Sequence, residues 1–177
     1  MQKVLLAGFG GQGIMVMGEL LAYSAMLSGK QVTYMPSYGP EMRGGTANCS
    51  IVISEKPISS PIVTDPTILI AMNELSLQKF ENSVKPSGII FLNKSLVNKN
   101  PKRGDIEYVK VDCNEIAKEI ANARLSNIVM LGAVIAKTRM LSLDTVYAAM
   151  DKKFTGDKAK YIPANKKALS AWETEAN

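Results

Sequence analysis

The chain has 177 residues, 46% of them hydrophobic and 21% charged, with a formal net charge of +5, which suits one well-buried α/β domain spanning 1–177 and not two. No apolar run approaches the roughly 18 residues that would cross a bilayer, and Met1-Gln2-Lys3 leads into a strand pattern, not the long apolar core of a signal peptide. Cys49 and Cys113, 64 positions apart with no CxxC-like pairing, read as small buried residues in a reducing cytoplasm, the expected location. The excess positive charge falls wholly in residues 91–177, where fifteen Lys and Arg face ten Asp and Glu; it lacks interleaved aromatics, which argues against a nucleic-acid groove.

Lys3 to Ala7 is a near-continuous apolar run, the pattern of a strand buried on both faces of a parallel sheet. From Gly13 to Ser28, Ile14, Met17, Leu20, Leu21 and Met26 recur at helical spacing, and Gly29 is a natural stop. Gln31 to Met35 reads as a second strand that Pro36 ends, giving a βαβ unit. Ala47 to Ile53 reads as a third strand. No helix separates it from the second, which predicts a hairpin-like excursion and a mixed sheet. Further strands are expected at 67–71, 89–92 and 107–111. Helices are expected at 74–83, 113–123 (with Asn114 at or near its cap), 127–136, 142–152 with Ser142 as cap, and 164–174 after Pro163. Strands alternating with helices predict a Rossmann-like α/β domain with a mostly parallel, partly mixed sheet.

Two glycine-rich segments stand out. Gly8, Gly10 and Gly13 fit G-x-G-x-x-G between the first strand and the first helix, where small residues let backbone amides approach an anion and the helix N-terminus favours negative charge. A dinucleotide site also needs an acid at the end of the second strand, and Thr33-Tyr34-Met35-Pro36-Ser37 offers none. A tight packing turn, a phosphate contact and an interface contact stay open for Gly8, Gly10, Gly11, Gln12 and Gly13. The second segment is Ser37-Tyr38-Gly39-Pro40-Glu41-Met42-Arg43-Gly44-Gly45. Its glycines permit unusual backbone angles, Pro40 stiffens the turn, and Glu41 and Arg43 bring opposite charges. A solvated loop with a local ion pair is the plain reading; a shaped surface pressed against a partner is the sharper one.

In joint order and spacing these two segments resemble the gamma subunit of 2-oxoacid:ferredoxin oxidoreductases. Gly18, Leu21, Ala22, Ile53-Ser54, Ser60-Pro61 and Asn127-Ile128-Val129-Met130-Leu131-Gly132-Ala133 extend the likeness over roughly residues 1–140. The resemblance implies a complex that oxidatively decarboxylates a 2-oxoacid, such as pyruvate or 2-oxoglutarate, to acyl-CoA and CO2, with electrons passing to ferredoxin. It implies partners of alpha, beta and delta type. Thiamine diphosphate, Mg2+ and iron–sulfur clusters would be carried by those subunits, and coenzyme A would enter through them. It sets Gly8–Gly13 towards partners or a phosphate of coenzyme A, and makes Ser37, Tyr38, Gly39, Pro40, Glu41, Arg43, Gly44 and Gly45 interface residues.

Composition points the same way. The chain has no histidine and two cysteines, so it lacks the commonest general base and the four thiolates a cluster requires. It also has no Gly-Asp-Gly motif for thiamine diphosphate. The expectation is a subunit with no catalytic or metal-binding residue and no cofactor of its own. The alternative is a free-standing nucleotide- or CoA-binding Rossmann-like protein; a plain dimerisation module would leave the glycine segments without a role. The stretch 151–167, with six lysines around Phe154 and Tyr161, reads as a solvated end, with a docking tail as the other reading.

Overall fold

In the computed structural model, which describes residues 1–38, 46–98 and 102–175, six strands make one sheet: β1 (Gln2–Phe9), β2 (Gln31–Tyr38), β3 (Thr46–Ser54), β4 (Ile68–Ala71), β5 (Ile89–Asn93) and β6 (Glu107–Val111). The helices are α1 (Ile14–Leu27), α2 (Glu74–Phe80), α3 (Cys113–Ile120), α4 (Ser126–Thr138), α5 (Leu143–Lys153) and α6 (Ile162–Glu175). Strand order is β2-β3-β1-β4-β5-β6. β1, β4, β5 and β6 are parallel neighbours, while β3 runs antiparallel to both β1 and β2.

The expected α/β class and the expected hairpin excursion are both present. One detail of the βαβ reading needs correction: β1 and β2 run in the same direction but are not neighbours, because β3 folds back between them. A second correction concerns Pro36, which does not end its strand. It pairs opposite Cys49 within β2, at the sheet's edge, where a residue without an N–H leaves no ladder bond unmade on the outer side. β1 likewise runs on through Gly8 and Phe9.

Strand alternation divides the interior into two layers. Val4, Leu6, Cys49, Ile51, Ile70 and Phe91 point to the face covered by α1, α3, α4, α5 and α6. Leu5, Leu69, Ala71, Ile90 and Leu92 point to the other, where α2 contributes Leu77. Burial on both faces explains why β1 and β4 read as unbroken apolar runs. α4 is the central helix, with every residue from Asn127 to Ile135 buried. A side chain at Gly132 would put its Cβ 1.9 Å from the Leu169 carbonyl oxygen of α6, so the two helices meet backbone against backbone.

Helix ends follow local chemistry. α1 closes with the Lys30 N–H on the Ala25 carbonyl and the Gly29 N–H on the Met26 carbonyl, the paired bonds of a Schellman turn. Ser142 caps α5 as expected, its hydroxyl accepting from the Thr145 N–H at 3.2 Å. Asn114 lies near the cap of α3, as expected, but is not the cap itself. Asp112 takes that position, and Asn114 sits inside the first turn, its N–H donating to the Ser95 hydroxyl. Pro163 falls within the first turn of α6, a place that tolerates a missing N–H.

Candidate functional site

The loop after β1 is shaped from within by one side chain. Gln12 folds back so that its Oε1 accepts from the Phe9 N–H at 2.6 Å and from Asn73 Nδ2 at 3.0 Å. Its Nε2 donates to the Met72 carbonyl at 3.2 Å. A backbone bond from the Gln12 N–H to the Phe9 carbonyl closes the turn at 3.1 Å. Asn73, which is buried, uses its Oδ1 to cap α2 by accepting from the Ser76 N–H at 2.9 Å. The ends of β1 and β4 are thereby locked together across a parallel pair.

The other side of the loop is held by Asn127, a buried residue of α4, whose Nδ2 donates to the Gly13 carbonyl at 3.2 Å. Gly13 occupies the N-cap position of α1 with φ +72°, and a Cβ there would come within 2.4 Å of Asn127 Nδ2. Both the backbone angle and the close approach therefore require glycine.

α1 has no side-chain cap and no acidic residue in its first turn, so nothing of its own neutralises the positive end of the helix dipole. Gly10 and Gly11 lie exposed at the loop's tip, and among the described residues no acceptor meets their amides. Gly8 is buried inside β1. It is a packing glycine, since an added Cβ would fall 2.6 Å from Ile14 Cδ1.

Strand register joins this loop to the second glycine segment. Phe9 pairs with Thr46 and Gly8 with Ala47, while Ala47 also pairs with Tyr38. The chain leaves β2 at Tyr38 and re-enters β3 at Thr46, so both segments emerge at one end of the sheet, the end where parallel β1 and β4 finish. Ser37 is exposed on β2 opposite Asn48. Gly39, Pro40, Glu41, Arg43, Gly44 and Gly45 lie outside the described residues, as does any contact they make.

Asn73 and Asn127 carry the geometry but were not singled out for it from sequence. The signal available for Asn73 was its place just before a predicted helix; for Asn127 it was a polar residue opening a strongly apolar one. The cysteines are structural. Cys49 is fully buried against α1, and burial raises its thiol pKa to about 12. Cys113 is also buried, and desolvation pushes its thiol up further. Among the described residues no group of three or more His, Cys, Asp or Glu comes together to hold a metal, and no helix is long and apolar enough to cross a membrane.

An α/β sheet with loops at the carboxyl ends of β1 and β4 leading into α1 and α2, which leave on opposite faces, defines a single α/β domain with a mixed, mostly parallel sheet covered on both sides. Comparison with known proteins narrows this. Residues 3–171 match the family model described as pyruvate ferredoxin/flavodoxin oxidoreductase, and the chain belongs to that family. It is 38% identical over 170 residues to the ketoisovalerate oxidoreductase subunit VorA of Methanothermobacter marburgensis, covering 96% of this chain and 35% of that protein. It is 35% identical over 153 residues to the 2-oxoglutarate synthase subunit KorC of Methanocaldococcus jannaschii, covering 84% of this chain and 81% of that one. The chain thus spans about a third of the length of VorA and most of the length of KorC. Its fold matches the crystal structure of a keto/oxoacid ferredoxin oxidoreductase gamma subunit from Geobacter sulfurreducens, with a TM-score of 0.85 at 26% identity, covering 99% of this chain and 98% of that one.

Proposed function

We propose that this chain is the gamma-type subunit of a 2-oxoacid:ferredoxin oxidoreductase. The complex would break the C1–C2 bond of a 2-oxoacid, release CO2, join the acyl group to coenzyme A as a thioester and pass the electron pair to ferredoxin. The observation that carries this reading is the family match across nearly the whole chain, joined to the register that brings both glycine segments to one end of the sheet.

Thiamine diphosphate, Mg2+ and the iron–sulfur clusters would reside in alpha-, beta- and delta-type partners. The contribution of this chain is shape. Gln12 and Asn73 hold the 9–13 loop in one conformation, and the exposed Gly10 and Gly11 amides form a surface against a partner subunit or a phosphate group of coenzyme A. Ser37–Gly45 would supply the neighbouring contact, with Arg43 pairing across the interface or with a phosphate through its planar fork of donors.

The test is anaerobic purification of the tagged chain from its native host, with partners identified by mass, followed by assay of the reconstituted complex. Recovery of a thiamine-dependent subunit and a ferredoxin-like one is expected. Arg43→Ala is expected to lower activity without unfolding the isolated chain. A chain recovered alone, with partners fully active in its absence, would overturn the assignment and favour a free-standing nucleotide-binding protein.

A further inference from the structure

The lysine-rich stretch is largely exposed, as a solvated end would be, and part of it also lines a cavity. Between the α3–α4 connection, the segment following α5 and the first turn of α6 lies an open cavity of about 640 Å³, within the size range of small-molecule sites. Val16, Leu125, Phe154 and Tyr161 give it an apolar and aromatic wall, and Arg124 and Lys158 add two cations. Among the described residues no acidic side chain lines it. Among the described residues neither Arg124 nor Lys158 has a carboxylate partner, whereas neighbouring Lys153 and Lys166 are paired with Glu19 and Asp151.

Two further features bear on the same cavity. Val16 belongs to the first turn of α1, so the cavity abuts a helix N-terminus that has neither a side-chain cap nor an acid to offset its dipole. The buried Asn165 donates from Nδ2 to the Tyr161 carbonyl at 2.7 Å, which fixes the backbone carrying the aromatic ring. Unpaired cations, an open helix terminus and flat apolar surface together match a ligand that joins a phosphate group to a planar ring.

We propose that this cavity binds a phosphate-bearing nucleotide, its phosphates between Arg124, Lys158 and the start of α1, and its base against Phe154 and Tyr161. The site is separate from the Gly10–Gly11 tip and independent of the assembly reading: it can be present or absent whether or not the chain joins a complex. ADP is the probe, titrated into the full chain by calorimetry and by amide chemical-shift mapping, with adenosine and pyrophosphate as the two half-ligands.

Saturable ADP binding is expected, with shifts concentrated at residues 122–125 and 154–165. Adenosine and pyrophosphate should each bind at least about tenfold more weakly, since each keeps one half of the contacts. Arg124→Ala and Lys158→Ala, both at exposed positions, should each weaken ADP about tenfold, while Lys56→Ala, on a distant loop, should change nothing. Binding that survives both substitutions, or shifts centred elsewhere, overturns the proposal, as does silence at millimolar ADP. Pyrophosphate binding as tightly as ADP would leave only an anion site and remove the nucleotide.

Discussion

Asn73 donates from Nδ2 to Gln12 Oε1 at 3.0 Å while its own Oδ1 accepts from the Ser76 N–H at 2.9 Å. A single buried carboxamide therefore sets both the shape of the glycine loop after β1 and the start of α2. Gln12 completes the coupling by accepting from Phe9 and donating to the Met72 carbonyl. The loop is held from inside the protein, leaving its glycine tip free for whatever docks on it.

Removing the Gln12 side chain should show this directly. Gln12→Ala leaves the Phe9 N–H and Asn73 Nδ2 without their acceptor and the Met72 carbonyl without its donor, and unmet buried groups of this kind cost ~1–3 kcal/mol. Urea unfolding is expected to show a lower midpoint with an unchanged slope. Hydrogen exchange should rise first at residues 9–13 and 73–77. An unchanged midpoint would mean that water replaces the carboxamide at no cost.

Gly132→Ala tests the central packing. The new methyl would stand 1.9 Å from the Leu169 carbonyl oxygen, a backbone atom that moves only if α6 moves. Overpacking typically costs ~1–3 kcal/mol where side chains can adjust, and a backbone clash belongs at or above the upper end. The expected result is a large loss of thermal stability with α6 loosened from α4, read as faster exchange across Ile162–Glu175. An alanine tolerated within ~0.5 kcal/mol, the range of an innocuous surface change, would contradict the close contact.

The strand and helix plan was legible because apolar runs and breakers act locally. Lys3 to Ala7 and the apolar stretch from Asn127 became elements close to their expected bounds, and Gln31 to Met35 became a strand that runs on to Tyr38. Pro36 misled because its effect depends on edge position, which is a property of the sheet and not of the strand. The site was legible only in part. Gly8, Gly10, Gly11, Gln12 and Gly13 stand where a strand–loop–helix pattern puts them, but Gln12 meets Asn73 across 61 positions and Gly13 meets Asn127 across 114. No local spacing encodes such pairs. Gly39 to Gly45 lie outside the described residues, and their interface role remains a proposal.

Tyr108 should make stability fall on the alkaline side. Its hydroxyl donates to Glu81 Oε1 at 2.6 Å, and burial, with that bond to a carboxylate, raises the phenol pKa from 10.0 to about 12. The folded state therefore favours the neutral phenol. Its contribution is fully present below pH about 10, the unfolded value, and is lost as pH rises from there through about 12. Urea unfolding at several pH values is expected to show a steeper alkaline decline for the native protein than for Tyr108→Phe. Parallel declines would show that the phenol ionises alike in both states.

The cysteines should behave as packing groups. Cys49 and Cys113 are both fully buried, and a Cβ at Gly18 would fall 2.5 Å from Cys49 Sγ, so the sulfur fills space that this glycine leaves. Only a thiolate attacks a thiol reagent, and burial raises the Cys49 pKa to about 12, with Glu19 adding a like-charge penalty. At pH 8 and without denaturant, labelling should proceed no faster than global or local unfolding, and both thiols should react promptly once urea exceeds the midpoint. The labelling rate should track the unfolding equilibrium across the urea series. Gly18→Ala, which pushes on Cys49 and not on Cys113, should accelerate labelling of the first thiol selectively. Rapid labelling of native Cys49 would mean that the α1–β3 interface opens readily, contrary to a role for Cys49 as a packing group.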